Sequence, residues 1–230
     1  VAPTPRGRRG EARLPSALVT LAAIALYALL PEQLILGPRL VIPALETVLL
    51  VVLVCVNPRR MTRDNRWIRL TSLGLVCLIA VVNTVALVLL LRQLVSTGSS
   101  EAVPLLFAAG QVWLTNVIVY ALAFWELDRG GPVARTRLAR EELPKADFRF
   151  PQDEDHDTVV EVNKGSSKVS GWVPTLVDYA YMSVTNSSAF SPTDTMPLST
   201  RAKIMMGIES TSALVISVLV IAKGVGSLGR

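Results

Sequence analysis

Asp178-Tyr-Ala-Tyr-Met-Ser-Val-Thr-Asn-Ser-Ser-Ala-Phe-Ser-Pro-Thr-Asp-Thr-Met-Pro197, followed closely by the apolar run at residues 204–225, is the stretch on which the fold turns. It is too polar for an ordinary membrane span and too apolar for a surface loop. Taken as a helix, residues 175–188 sort into two sides. Asp178, Tyr181, Thr185 and Ser188 recur at i, i+3, i+7 and i+10, with Val177, Ala180 and Val184 opposite. In a bilayer such a polar stripe must face protein or water, because hydrocarbon offers its groups no partner. The stripe, with Asn186 beside it, therefore predicts a helix that walls an internal polar space. Ser191-Pro192-Thr193-Asp194 ends that helix, since Pro192 has no N–H to donate and Asp194 favours a turn.

The rest of the chain places this stretch in a membrane. Of 230 residues, 51% are apolar and only 18% charged, and the mean hydropathy is +0.46, where a soluble domain carries more charge. Four apolar runs precede it, at residues 14–30, 40–56, 67–91 and 103–125. At about 1.5 Å per residue, roughly 20 residues cross the hydrocarbon, a length that the third and fourth runs reach and the first two approach. The first run follows a basic start but lacks a convincing small-residue cleavage site, so it reads as a span and not as a signal peptide. The expected fold is an all-α polytopic membrane bundle of about six helical elements with five or six crossings. Its expected parts are a basic cytoplasmic tail (1–13), a four-helix membrane region (14–125), a hydrophilic, partly disordered cytoplasmic loop (126–171) and a helical pair (172–230).

The net charge of +5 is distributed as topology signals, not as a nucleic-acid footprint. Arginines cluster in the tail, at Arg59, Arg60, Arg63 and Arg66, and from Arg129 to Arg149, all beside apolar runs. Positive residues near span ends stay on the cytoplasmic side, which puts the amino terminus inside. Lys223 and Arg230 would place the carboxyl end inside as well. That requires residues 173–190 to cross completely and the last run to return, giving six crossings. The partners expected are the lipid bilayer and further copies of the chain, with no nucleic acid.

Polar residues inside the runs are the candidate site residues. Glu46 follows Pro43 by one turn and reads as a hydrogen-bonded glutamate joining helices, ahead of an ion or proton ligand. Asn83, Gln111 and Asn116 read as interhelical glue, and Trp113, Asn116 and Tyr120 share one helix face. Glu209 lies in the last run among small residues, Gly207 and Thr211, then Ala213 and Ser217, spaced for close helix approach. Cys55 and Cys77 lie in apolar runs, where a thiol behaves as a small hydrophobe. His156, in Asp153-Glu-Asp-His-Asp157, belongs to a solvated charge run and not to a metal site. No zinc-ligand spacing, phosphate-binding glycine loop or nucleophile elbow is present, so neither a cofactor nor an enzyme activity is expected.

Tyr181-x-Ser183, then Asp194-x-x-Pro197, then Arg201 ahead of an apolar helix bearing Glu209, resembles the pore helix, filter and inner helix of the potassium-channel superfamily. In that family the filter is Thr-Val-Gly-Tyr-Gly, whose carbonyls replace the water around potassium. Here Ala189-Phe-Ser-Pro-Thr193 stands in its place, without the glycines' conformational freedom and with φ fixed at Pro192, so potassium selectivity is not implied. Over most of its length the chain also resembles small bacterial multi-pass membrane proteins of unknown function. That likeness lies in the Asn57-Pro58 link, the Trp125-Glu-Leu-Asp-Arg-Gly-Gly-Pro132 segment and the Thr193-Asp-Thr-Met-Pro197 turn. The polar stripe and the channel-like spacing imply a channel-like or transport protein for a cation or small solute, and the bacterial likeness, which carries no function, implies a multi-pass protein of the bacterial cytoplasmic (inner) membrane. Asp178, Tyr181, Thr185, Asn186, Ser188, Asp194 and Glu209 would line its pore or cavity. The alternative is a non-conducting scaffold or regulatory subunit that binds another membrane protein, with the stripe serving only to pack helices.

Overall fold

The computed structural model describes residues 10–63, 65–96, 102–154, 159–188 and 194–228. Five helices form the first part of the chain: α1 (Arg13–Ala28), α2 (Val41–Val56), α3 (Arg66–Ser96), α4 (Ala102–Leu127) and the short α5 (Pro132–Arg137). Their ends follow from local chemistry. Asn57 closes α2 and then organises the link to α3, its Oδ1 accepting the Thr62 and Arg63 N–H groups and its Nδ2 donating to the Arg63 carbonyl. Asn65 caps α3 by accepting the Ile68 N–H at 2.9 Å. After α4 the backbone turns through Gly130 and Gly131, at φ +80° and +92°, a region that glycine enters without steric cost. Pro132 then starts α5, where a missing N–H is no loss.

α3 and α4 pack along their length, and α1 and α2 lie against them. One apolar core joins Tyr27, Leu30, Leu90, Val112 and Ile216; a second, toward the α4 carboxyl end, is aromatic and holds Phe124, Trp125, Phe148, Phe150 and Tyr179. The outside is as apolar as the inside: Leu18, Val48, Val52, Val81, Phe107, Ile208 and Val218 are all exposed. This is the surface of a protein solvated by lipid. Arg66–Ser96, Val103–Gly130 and Thr200–Val225 are long and apolar enough to cross a bilayer. α1 and α2, at 16 residues each, span about 24 Å, short of the roughly 30 Å of hydrocarbon.

The hydrophilic segment is more ordered in its described part than its composition announces. It contains β1 (Phe148–Arg149), α6 (Val160–Asn163) and α7 (Ser167–Ser170), and its aromatic residues enter the second core. The chain then forms α8 (Leu176–Ser187), β2 (Met196–Pro197) and α9 (Thr200–Leu228). β2 pairs antiparallel with β1, Phe148 opposite Pro197 and Arg149 opposite Met196.

α8 and α9 begin at the same end of the bundle. The Leu176 N–H, in the first turn of α8, donates to Glu11 Oε1 at 2.9 Å, and the Trp125 indole donates to Glu11 Oε2 at 3.0 Å. Arg201, in the first turn of α9, donates to the Leu127 carbonyl at 3.2 Å and pairs with Asp147. Farther in, Ser183 reaches the Val117 carbonyl, and Asn186 reaches the Met206 carbonyl. The two helices therefore run in the same direction. α8, with 12 residues, is about 18 Å long.

The structure does not show the complete crossing of residues 173–190 that the charges imply. By β2 the chain has returned to the end that it left at Leu176, and β1 and the Asp147–Arg201 pair hold it there. At about 18 Å, α8 is shorter than the roughly 30 Å of hydrocarbon, a constraint that Lys223 and Arg230 do not carry. The filter-like residues 189–193, together with His156 and Arg230, lie outside the described residues.

Candidate functional site

The face that α8 turns inward is not the one its polar stripe predicts. Tyr179, Met182, Ser183 and Ser187 are buried, whereas Tyr181 is 59% exposed. Thr185 and Ser188 are half-buried, and their hydroxyls bond back to their own helix, Thr185 to the Tyr181 carbonyl and Ser188 to the Thr185 carbonyl, each at 3.0 Å. A hydroxyl satisfied this way has no need of a wet cavity. Asp178 serves the helix start, accepting the Thr175 N–H at 2.7 Å and its hydroxyl at 2.8 Å in a capping box. Asp194 is exposed just before β2. Of the seven residues expected to line a pore, the structure brings together Asn186 and Glu209.

Glu209 is the centre of what the inward face of α8 does contact. It is 0% exposed on α9, about 14 Å along the axis from Thr200. Ser183 and Ser187 both donate to its Oε1, Ser187 at 3.1 Å, and Asn186 Nδ2 donates to its Oε2 at 2.6 Å. Asn186 also donates to the Met206 carbonyl at 3.0 Å. Ser183 has two acceptors in reach, Glu209 and the Val117 carbonyl at 2.8 Å, but owns a single hydroxyl proton. Ser187 and Asn186 supply both carboxylate oxygens and the Val117 carbonyl lies within α4, so each acceptor keeps a donor whichever way the Ser183 hydroxyl turns.

A second network holds the shared end of α4, α8 and α9. Asp128 is wholly buried, its Oδ1 accepting the Asp147 N–H at 2.7 Å and its Oδ2 the Tyr179 hydroxyl at 2.6 Å. Arg135, also wholly buried, donates to the Trp125 and Asp128 carbonyls at 2.7 and 2.8 Å and lies 5.0 Å over the Tyr179 ring. Arg129 pairs with Asp153 and donates to the Phe148 carbonyl. Burial pushes the Glu11 carboxyl up, against the pull of the Leu176 N–H, Arg135 and the Trp125 indole. In the sequence Asp128 and Arg129 stand in the Trp125–Pro132 segment and Tyr179 in the polar stretch after it, with nothing to join the two. The signal that could have found them is Tyr179, Ser183 and Asn186, a second polar spacing of i, i+4, i+7 beside the stripe.

The remaining intramembrane polar residues lie apart from Glu209's hydrogen bonds. Asn83 Nδ2 donates to Asn116 Oδ1 at 3.3 Å, joining α3 to α4. Gln111 is half-buried on α4. Glu46 is 1% exposed, and its Oε2 has no hydrogen-bond partner, so the hydrogen-bonded role expected for it is not met at that oxygen. Among the described residues no group of histidine, cysteine and carboxylate side chains could hold a metal ion. No family model, curated protein or solved structure matches the chain.

Proposed function

We propose that the protein is a channel-like or transport protein of the bacterial cytoplasmic membrane, working as a homo-oligomer, with a proton or small cation as the species it handles. The observation that carries this reading is the parallel start of α8 and α9, with α8 stopping at depth beside a buried carboxylate before the chain comes back. Helix in, chain out and a long helix onward is a re-entrant element. Non-helical backbone at membrane depth is tolerated where it is buried in protein or lines water. Arg13, Arg59, Arg60, Arg63, Arg66 and Arg129 all lie at the end where α8 enters, so the positive-inside rule makes that end cytoplasmic. On this reading α3, α4 and α9 cross, α1 and α2 cross with the linking residues 29–40 completing their depth, α8 dips in from the cytoplasm, and α9 finishes outside. The exposed Tyr181 and Val184 of α8 and Ile208 of α9 would then face neighbouring copies.

A second reading, a non-conducting scaffold or regulatory subunit, draws support from the complete burial of Glu209 and the engagement of both its oxygens. Reconstitution into liposomes separates the two. Under imposed H⁺, Na⁺ and K⁺ gradients, the channel-like reading expects flux above that of empty liposomes, lost in Glu209→Gln. A folded oligomer with no flux for any of the three would leave the scaffold, for which a stoichiometric membrane partner should then co-purify.

A further inference from the structure

Arg13, Arg63 and Arg69 line one small cavity at the arginine-rich end, about 30 Å³ in volume. Arg13 forms its floor. That residue is 7% exposed, its Nε has no hydrogen-bond partner, and its Nη1 meets the Met61 sulfur at 3.6 Å. The half-buried Arg69 forms a wall and donates to the Gly130 carbonyl, while Arg63 stands exposed at the mouth. The loop that carries Arg63 is fixed by the Asn57 side chain. One carboxylate, Glu126, shares the wall and accepts the Ser72 hydroxyl, so three guanidinium charges face one negative charge. The cavity has a net positive lining and a buried N–H left over, which suits an oxyanion.

The cavity shares the lining residues Leu53, Arg63 and Ile68 with a groove between α2 and α3, about 610 Å³ in volume, whose apolar side is Val52, Val56 and Trp67. Trp67, 75% exposed, stands at the start of α3, where interfacial aromatics lie. A charged pocket continuous with an apolar groove at the end of the spans matches one class of molecule on both sides. We infer that this is a binding site for an anionic phospholipid. Its phosphate oxygens lie on the planar forks of Arg13, Arg63 and Arg69, and an acyl chain runs along Val52, Val56 and Trp67. Basic pockets between helices on the cytoplasmic side are the usual seat of such headgroups. The site is independent of the Glu209 cluster and of the channel reading.

Native mass spectrometry of the full chain, purified in neutral detergent and incubated with phosphatidylglycerol or phosphatidylcholine of the same acyl chains, tests this. One phosphatidylglycerol should be retained, about tenfold more tightly than phosphatidylcholine, the worth of a charge-assisted hydrogen bond. Arg63→Gln, at an exposed mouth residue, should erase that preference while its lipid-free thermal unfolding matches the parent. Val52→Trp, which fills the groove, should expel the lipid. Equal retention of the two lipids, or unchanged preference in Arg63→Gln, overturns the site and leaves annular lipid only. Inorganic phosphate bound at full strength in Val52→Trp, with no phospholipid retained by the parent, would make the ligand free phosphate and also overturn it.

Discussion

Glu209→Leu should lower the unfolding free energy of the detergent-solubilised protein by about 1–3 kcal/mol, because it removes the acceptor that Ser183, Ser187 and Asn186 share. Ser183, Ser187 and Asn186 lie on one face of α8, and leucine offers none of them a lone pair. Hydrogen bonds between membrane helices average only about 0.6 kcal/mol each when both partners can find substitutes. Here Ser183 keeps the Val117 carbonyl and Asn186 the Met206 carbonyl, so the buried Ser187 is the donor that loses most. Glu209→Gln separates charge from shape. Its carbonyl still accepts from the two serines, but its amide meets the Asn186 amide, donor against donor, so a smaller loss of about 1 kcal/mol is expected. Unfolding in a graded denaturing detergent, followed by tryptophan fluorescence, reads both values. Equal stability of Glu209→Leu and the parent would mean that the cluster does not fasten α8 to α9.

Asp128→Ala should cost about 3–5 kcal/mol, the range for removing one partner from a buried charged network. The Tyr179 hydroxyl and the Asp147 N–H lose their acceptor, and Arg129 loses a neighbouring charge at 3.6 Å. The consequence reaches beyond stability. Asp147 holds Arg201 at the start of α9, and β1 holds β2, so freeing residues 144–154 releases the return of the chain after α8. Limited trypsin digestion should therefore cut after Lys145 and Arg149 faster in Asp128→Ala than in the parent. Asp128→Asn keeps an acceptor for the N–H group and should lie between the two. Identical digestion of all three proteins would show that the segment is not held through Asp128.

The sequence discloses the helices well because their apolar runs are long and their ends carry local signals, Asn57 after α2, Asn65 before α3 and the paired glycines after α4. It discloses the phase of α8 poorly. Residues 178, 181, 185 and 188 and residues 179, 183, 186 and 187 lie on adjoining arcs of the same helix, and periodicity alone cannot choose between them. The choice is made by partners far along the chain: Asp128, 51 residues from Tyr179, and Glu209, 26 residues from Ser183. The hydrophilic segment was obscure for the same reason. Its charges read as solvated until Asp128 and Arg135 are seen to share Tyr179. Glu209 could be singled out from the sequence, because a carboxylate in an apolar run needs a partner. Which partners it would find could not.

The sidedness of the last helix bears most directly on whether α8 dips in and returns or crosses. A cysteine at the exposed position Arg137 and a reporter fused after residue 230, assayed in intact cells, give the two readings. A re-entrant α8 followed by a crossing α9 places position 137 in the cytoplasm and the fused reporter outside. Both on the cytoplasmic side would mean that the chain crosses between α7 and α9, and would contradict the parallel arrangement of α8 and α9 in the membrane.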